Sequence, residues 1–200
     1  CYKGDIYKVS AKGGEAVQLT TQDSYESSPV WSPDGKQIAF ASDRFGNTDV
    51  FVMPANGGSA RRLTTNSASE IPSAFTPDGK YVVFSALFPT SAMTELYKVP
   101  AEGGKTEQIL GTPAEMVCFN AAGDKFLYQD RKGFEDEWRK HHTSSITRDV
   151  WMYDRASGKH TNLTKRAGED RNPVLSSDGK EVFFLSERNK GSFNVYSFPL

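Results

Sequence analysis

The residues able to do chemistry are scarce, and their spacing works against a shared site. His141 and His142 stand side by side in "DEWRKHHTSSITRD", and His160 lies apart from them. Imidazoles bind metals and move protons near neutral pH, but adjacent residues of an extended segment point to opposite faces. The pair therefore does not converge on one ion, and no metal site is assigned. Serines are plentiful, yet none sits in a Gly-x-Ser-x-Gly elbow. Cys1 and Cys118 fit neither a disulfide framework nor a metal-ligand spacing. Asp34, Asp78 and Asp178 recur inside one turn template, where such side chains cap their own backbone. No catalytic or cofactor-binding residue is assigned, and no cofactor is expected. What remains is a candidate interaction loop carrying Trp138, Arg139, His141, His142 and Arg148. Trp and Arg are the types enriched among binding hot spots, although a solvated hairpin extension would read the same way.

The elements that position this loop are written as a repeat. "SPDGK" at 32–36 returns as "TPDGK" at 76–80 and "SSDGK" at 176–180, with a worn copy, "NAAGDK", at 120–125. The turn glycines Gly35, Gly79, Gly123 and Gly179 are 44, 44 and 56 residues apart. Four residues before each is a large apolar side chain: Trp31, Phe75, Phe119 and Leu175. The residue before that is Val30, Ala74, Cys118 or Val174, so Cys118 reads as a small buried filler. After each turn runs a mostly apolar strand ("QIAFAS", "YVVFSA", "KFLYQD", "EVFFLS"), a composition that implies cover on both faces. A third strand recurs five times from Asp5, Asp49, Glu95, Asp149 and Asn194. A glycine turn and a fourth strand ("VQLTT", "RRLTT", "EQIL", "TNLTK") follow the first four copies. "NLTK" at Asn162 also fits a glycosylation acceptor, but it matches the fourth-strand template.

A four-stranded antiparallel meander of about 44 residues is the period of a β-propeller blade. The expected fold is all-β, with 17 strands touching five blades, three of them complete. A single partial propeller domain over 1–200 is expected, with blade portions near 1–24, 25–68, 69–112, 113–167 and 168–200. On this count the chain is part of a larger ring, and self-association is an expected consequence of uncapped blades. The long third spacing places an insertion at 131–148, on the blade face opposite the "PDGK" turns.

With 24 basic and 25 acidic residues the net charge is −1, so nothing favours a nucleic-acid partner. No apolar run reaches the roughly 18 residues of a membrane span, and no signal-peptide pattern opens the chain. Cys1 runs straight into a strand pattern, which favours an interior residue over a lipid-anchored chain start.

The units "WSPDGKQIAFASDRFGNTDVFVMPANGGSARRLTT" and "SSDGKEVFFLSERNKGSFNVYSFP" resemble the WD-like propeller repeat of TolB, the tricorn protease and dipeptidyl-peptidase-type enzymes. "EDEWRKHHTSSITRDVWMYD" and "CYKGDIYKVSAKGGEAVQLT" are similar to the N-terminal propeller of bacterial tricorn protease homologues. That resemblance implies a non-catalytic segment that gates or scaffolds peptides for a serine peptidase. Its partners would be peptides or neighbouring peptidase and PDZ-like domains, in an exported, periplasmic or envelope protein. A TolB-like protein-binding module is the alternative, and a propeller lyase the second.

Overall fold

The computed structural model describes residues 1–134, 146–189 and 191–200. Among them every regular element is a strand, and no helix is long and apolar enough to cross a membrane. The first sheet holds β1 (Tyr7–Lys8) and β2 (Val17–Gln18). The second holds β3 (Glu26–Trp31), β4 (Gln37–Ser42), β5 (Asp49–Pro54) and β6 (Arg61–Arg62). The third holds β7 (Glu70–Phe75), β8 (Tyr81–Ala86), β9 (Glu95–Pro100) and β10 (Glu107–Leu110). The fourth holds β11 (Ala114–Phe119), β12 (Lys125–Asp130), β13 (Val150–Asp154) and β14 (Lys159–Asn162). The fifth holds β15 (Asp170–Leu175), β16 (Glu181–Asn189) and β17 (Ser192–Pro199). In every sheet the strands lie in chain order, so each is a meander. The fold is thus the expected one, all-β and built of antiparallel propeller blades, three of which have four strands. The chain divides into two compact units, residues 1–90 with 97–109, and residues 91–96 with 110–200.

The recurring turn is built from its own side chains. The Ser32 hydroxyl donates to Asp34 at 2.7 Å, and Asp34 accepts the Lys36 N–H at 3.0 Å. Thr76 with Asp78 and Ser176 with Asp178 repeat the arrangement at 2.6 Å. These bonds, first of all the hydroxyl's, hold each of the three carboxyls below its ordinary value. The repeated aspartates are turn caps. In the worn copy the Asn120 amide oxygen takes the hydroxyl's place, accepting the Lys125 N–H at 3.1 Å. All four turns need φ near +70°, and Gly35, Gly79, Gly123 and Gly179 supply it at 68° to 73°, a region closed to most side chains.

The continuous apolar strands are buried on both faces. In the first unit, Ile38 and Phe40 of β4 with Phe51 and Met53 of β5 join Ile6 and Leu19 in one core. Ala39, Val50 and Val52, on the opposite face of the same strands, join Val82, Phe84, Tyr97 and Val99 in another. In the second unit Leu127, Val150 and Met152 pack against Val182, Phe184 and Tyr196, with half-buried Cys118 at the edge. Burial pushes the Cys118 thiol up from its ordinary value.

The third and fourth strands are locked by the "LT" of the fourth-strand template. Thr20, Thr64 and Thr164 each accept a third-strand N–H (Ile6, Val50, Val150) at 2.9 Å. Two residues earlier, Gln18, Arg62 and Asn162 reach Asp5, Asp49 and Asp149 at 3.0, 2.6 and 3.2 Å. Asn162 is therefore occupied within the sheet.

Candidate functional site

Trp138, Arg139, His141 and His142 lie outside the described residues. The base of their insertion does not, and it is tightly built. The Lys132 ammonium donates to the Thr147 carbonyl at 2.7 Å and pairs with Asp149 at 2.8 Å and Asp130 at 3.3 Å. A Cβ on Gly133 would meet Ile146 at 2.8 Å, so the two stems run in contact. Burial alone would lower the Lys132 pKa, but the Asp149 hydrogen bond and the two carboxylate charges hold it above its ordinary value. Asp130 is raised by burial, opposed by the Asp149 N–H and the Lys132 charge. It also accepts the Trp151 indole N–H at 3.1 Å.

Arg148 ends the second stem, and the structure places it inward. It is 8% exposed, with Nη1 2.7 Å from Glu169 Oε1 and Nε 3.8 Å from Glu115 Oε2. Arg131 reaches Glu115 at 3.0 Å and Arg171 reaches Glu169 at 3.7 Å. Gln129 bridges the sheets of this unit, donating to Glu115 at 3.2 Å and accepting the Asn172 N–H at 2.8 Å. Arg148 thus ties the second stem to the acids around it, Glu115 and Glu169. His160 is far from such work, sharing a 2.8 Å hydrogen bond between its Nδ1 and the buried Tyr128 hydroxyl. Among the described residues no group of three or more His, Cys, Asp or Glu is placed to hold a metal.

Asn172 has φ 54°, as Ser28 and Met116 do at 51° and 53°. Each is the third residue of a first strand, where the register with the second strand shifts. The third sheet shifts register at Pro72 instead, since proline cannot take positive φ. The bulges sit at the same position in β3, β11 and β15, and three of the four first strands, β3, β7 and β15, open with a buried acid.

Those acids are the residues that sequence reasoning missed. Glu26, Glu70 and Asp170 open β3, β7 and β15 and are buried. Arg44 and Arg188 each follow an acid in sequence, Asp43 and Glu187, yet they reach across the sheet. Arg44 lies 3.1 Å from Glu26 and Arg188 lies 3.5 Å from Asp170. Asp43 and Glu187 accept the N–H of Tyr25 and Glu169, at 2.8 and 2.7 Å. An acid five residues before three of the four large apolar positions, Trp31, Phe75 and Leu175, was the available signal.

The chain matches, over residues 1–200, the family described as the tricorn protease N-terminal beta propeller domain. No curated protein matches it. Among solved structures it is similar to TolB from Acinetobacter baumannii, at 19% identity and TM-score 0.80, covering 98% of this chain and 46% of that one. The tricorn protease is similar at 21% identity and TM-score 0.81, covering 98% of this chain and 20% of that one. Oligogalacturonate lyase from Vibrio parahaemolyticus follows at 15% and 0.67, covering 96% and 53%. The chain therefore spans about half or less of these proteins, and at such identities the likeness is one of fold.

Proposed function

The chain belongs to the family of tricorn protease N-terminal beta propeller domains, and from that membership we propose that it is a non-catalytic module that holds or gates peptides for a neighbouring peptidase domain. The observation that carries this reading is the clamped base of the 131–148 insertion. Lys132, Thr147 and Asp149 pin its stems, and Arg148 is spent on Glu169 rather than on solvent. A blade needs only a short link here, as 42–49 does in the second sheet. Longer loops cost little closure entropy, so stability does not require the extra residues. An insertion with a pinned base, whose sequence carries Trp138, Arg139, His141 and His142, suits contact with an extended peptide. The same proposal makes the protein an exported one.

The test replaces residues 134–145 with a Gly-Asn turn, keeping Lys132 and Thr147. Binding of fluorescein-labelled unstructured decapeptides is then read by anisotropy beside a thermal melt. Lost binding with a melting temperature within a few degrees of the parent supports the reading. Unchanged binding overturns it, and cleavage of the peptides by the purified protein overturns its non-catalytic part.

A further inference from the structure

The second and fifth sheets each build the same small site from their own side chains. A first-strand acid faces a serine across the ladder, Glu26 opposite Ser42 and Asp170 opposite Ser186. An arginine two residues beyond that serine bonds it through Nε, Arg44 at 2.9 Å and Arg188 at 2.8 Å. Its guanidinium lies over a cross-strand aromatic pair, Arg44 4.5 Å from the Phe51 ring and 5.7 Å from Phe40. Arg188 does the same at 4.6 Å from Tyr196 and 4.9 Å from Phe184. The fourth sheet keeps a cation at this position, Lys132, and moves the acid to Asp130.

The third sheet keeps the acid and the aromatic pair and lacks the rest. Glu70 opens β7, and Phe84 stacks with Tyr97 at 5.8 Å and 26°, close to the 5.8 Å and 24° of Phe40 with Phe51. Opposite Glu70 stands Ala86 in place of serine. Two residues on, Phe88 replaces the arginine and packs edge-on to Tyr97 at 4.6 Å. Glu70 is 1% exposed. Thr64 lowers the pKa of its carboxyl against the larger effect of burial, and the buried Oε2 has no hydrogen-bond partner among the described residues. The nearest acting cation, Arg62, is engaged by Asp49 at 2.6 Å. Beside this orphan carboxylate a cavity of about 510 Å³ is lined by Glu70, Phe88, Tyr97, Thr64, Asn66 and Gln108, among others.

We infer that this cavity is a receptor for the guanidinium of an arginine side chain on a bound peptide, which completes in trans the acid–arginine–aromatic site that the second and fifth sheets complete in cis. The occupant's identity rests on the peptide-binding reading above; the guanidinium site itself does not. A buried carboxylate with an unused oxygen has a strong demand for a charged donor. The face of Phe88, whose edge packs against Tyr97, adds cation–π attraction, which favours the planar guanidinium over ammonium. The cavity holds one arginine side chain and part of its backbone, within the range of small-ligand pockets. Asp49 and Arg62 are the other charges acting on Glu70. Burial pushes the Glu70 carboxyl up to about 7, so a cation competes with a proton there and binding strengthens from pH 6 to pH 8.

The probe is N-acetyl-arginine-amide, titrated into the intact protein and followed by amide NMR at pH 8. N-acetyl-citrulline-amide serves as the neutral isostere and N-acetyl-lysine-amide as the ammonium control. Shifts centred on Glu70, Phe88, Tyr97 and Gln108, at least ten-fold weaker for citrulline and weaker for lysine, support the site. Glu70→Gln should lose that binding at least ten-fold. The paired change Ala86→Ser with Phe88→Arg, which installs the internal arginine, should abolish it in a protein at least as stable as the parent. Equal binding of citrulline or lysine, shifts elsewhere, or full binding by the paired variant would each overturn the inference. Arginine binding that survives the 134–145 replacement, with decapeptide binding lost, is the expected pattern for two separate sites. Decapeptide binding with no arginine-amide binding sinks this inference alone, and the converse sinks only the broader reading.

Discussion

Replacing Glu70 by glutamine should flatten the pH dependence of stability between pH 4.5 and 7. The carboxyl is pushed from its ordinary value of 4.5 up to about 7, chiefly by burial, with Asp49 adding to the rise and Thr64 and Arg62 opposing it. A carboxyl that binds its proton more tightly when folded stabilises the fold fully below the unfolded value. That contribution is lost as pH climbs to the folded value, and it stays lost above it. Each unit of pKa is worth about 1.4 kcal/mol; allowing for water at the open side of the cavity, the loss is on the order of 2 kcal/mol. For a chain of this size that is a fall of about 4–8 °C in melting temperature. The assay is urea denaturation of parent and Glu70→Gln proteins at pH 4.5, 5.5, 6.5 and 7.5. Asp130, also raised by burial, contributes equally to both proteins and cancels in the difference, whereas Asp49, whose charge acts on Glu70, is part of the difference measured. The amide forfeits some hydrogen bonding at every pH, so the slope, not the absolute stability, carries the result. Parallel profiles would show that Glu70 is solvated or paired, and the orphan-carboxylate reasoning would fail.

Thr164→Val should cost about 1–2 kcal/mol by stranding the Val150 N–H, and Thr164→Ser should restore most of it; equal urea midpoints for all three proteins would contradict the lock between third and fourth strands. Arg148→Met leaves Glu169 with the more distant Arg171 and should cost about 2–3 kcal/mol, while adding Glu169→Gln should recover a large part. A single variant within 0.5 kcal/mol of the parent (about the spread of neutral surface changes) would mean that Arg148 is not holding the blade edges. Cys1, exposed, should react with a thiol reagent at once, whereas Cys118, half-buried with its thiol raised, should react only on unfolding. Simultaneous labelling of both in the folded protein would contradict the packing around Cys118.

Periodicity alone determined the architecture. The "PDGK" turns, the apolar second strands and the "LT" fourth strands each have a local cause: a hydroxyl–aspartate cap, two-faced burial, a threonine accepting a neighbour's N–H. Local causes repeat with the chain, so they are visible as repeated letters, and even the worn "NAAGDK" copy announced its strand pair. The insertion at 131–148 was legible for the same reason, as a departure from the period. Pairing across a sheet is not local. Arg44 sits next to Asp43 in sequence yet spends its charge on Glu26, because strand pairing brings residue 26 opposite residue 42. Arg148 read as an exposed contact residue until the fold set Glu115 and Glu169 around it. Nothing in the sequence set Glu70 apart from Glu26 and Asp170. Only the tertiary structure showed that Ala86 and Phe88 stand where its serine and arginine belong, because the worth of a buried charge depends on what the fold places against it.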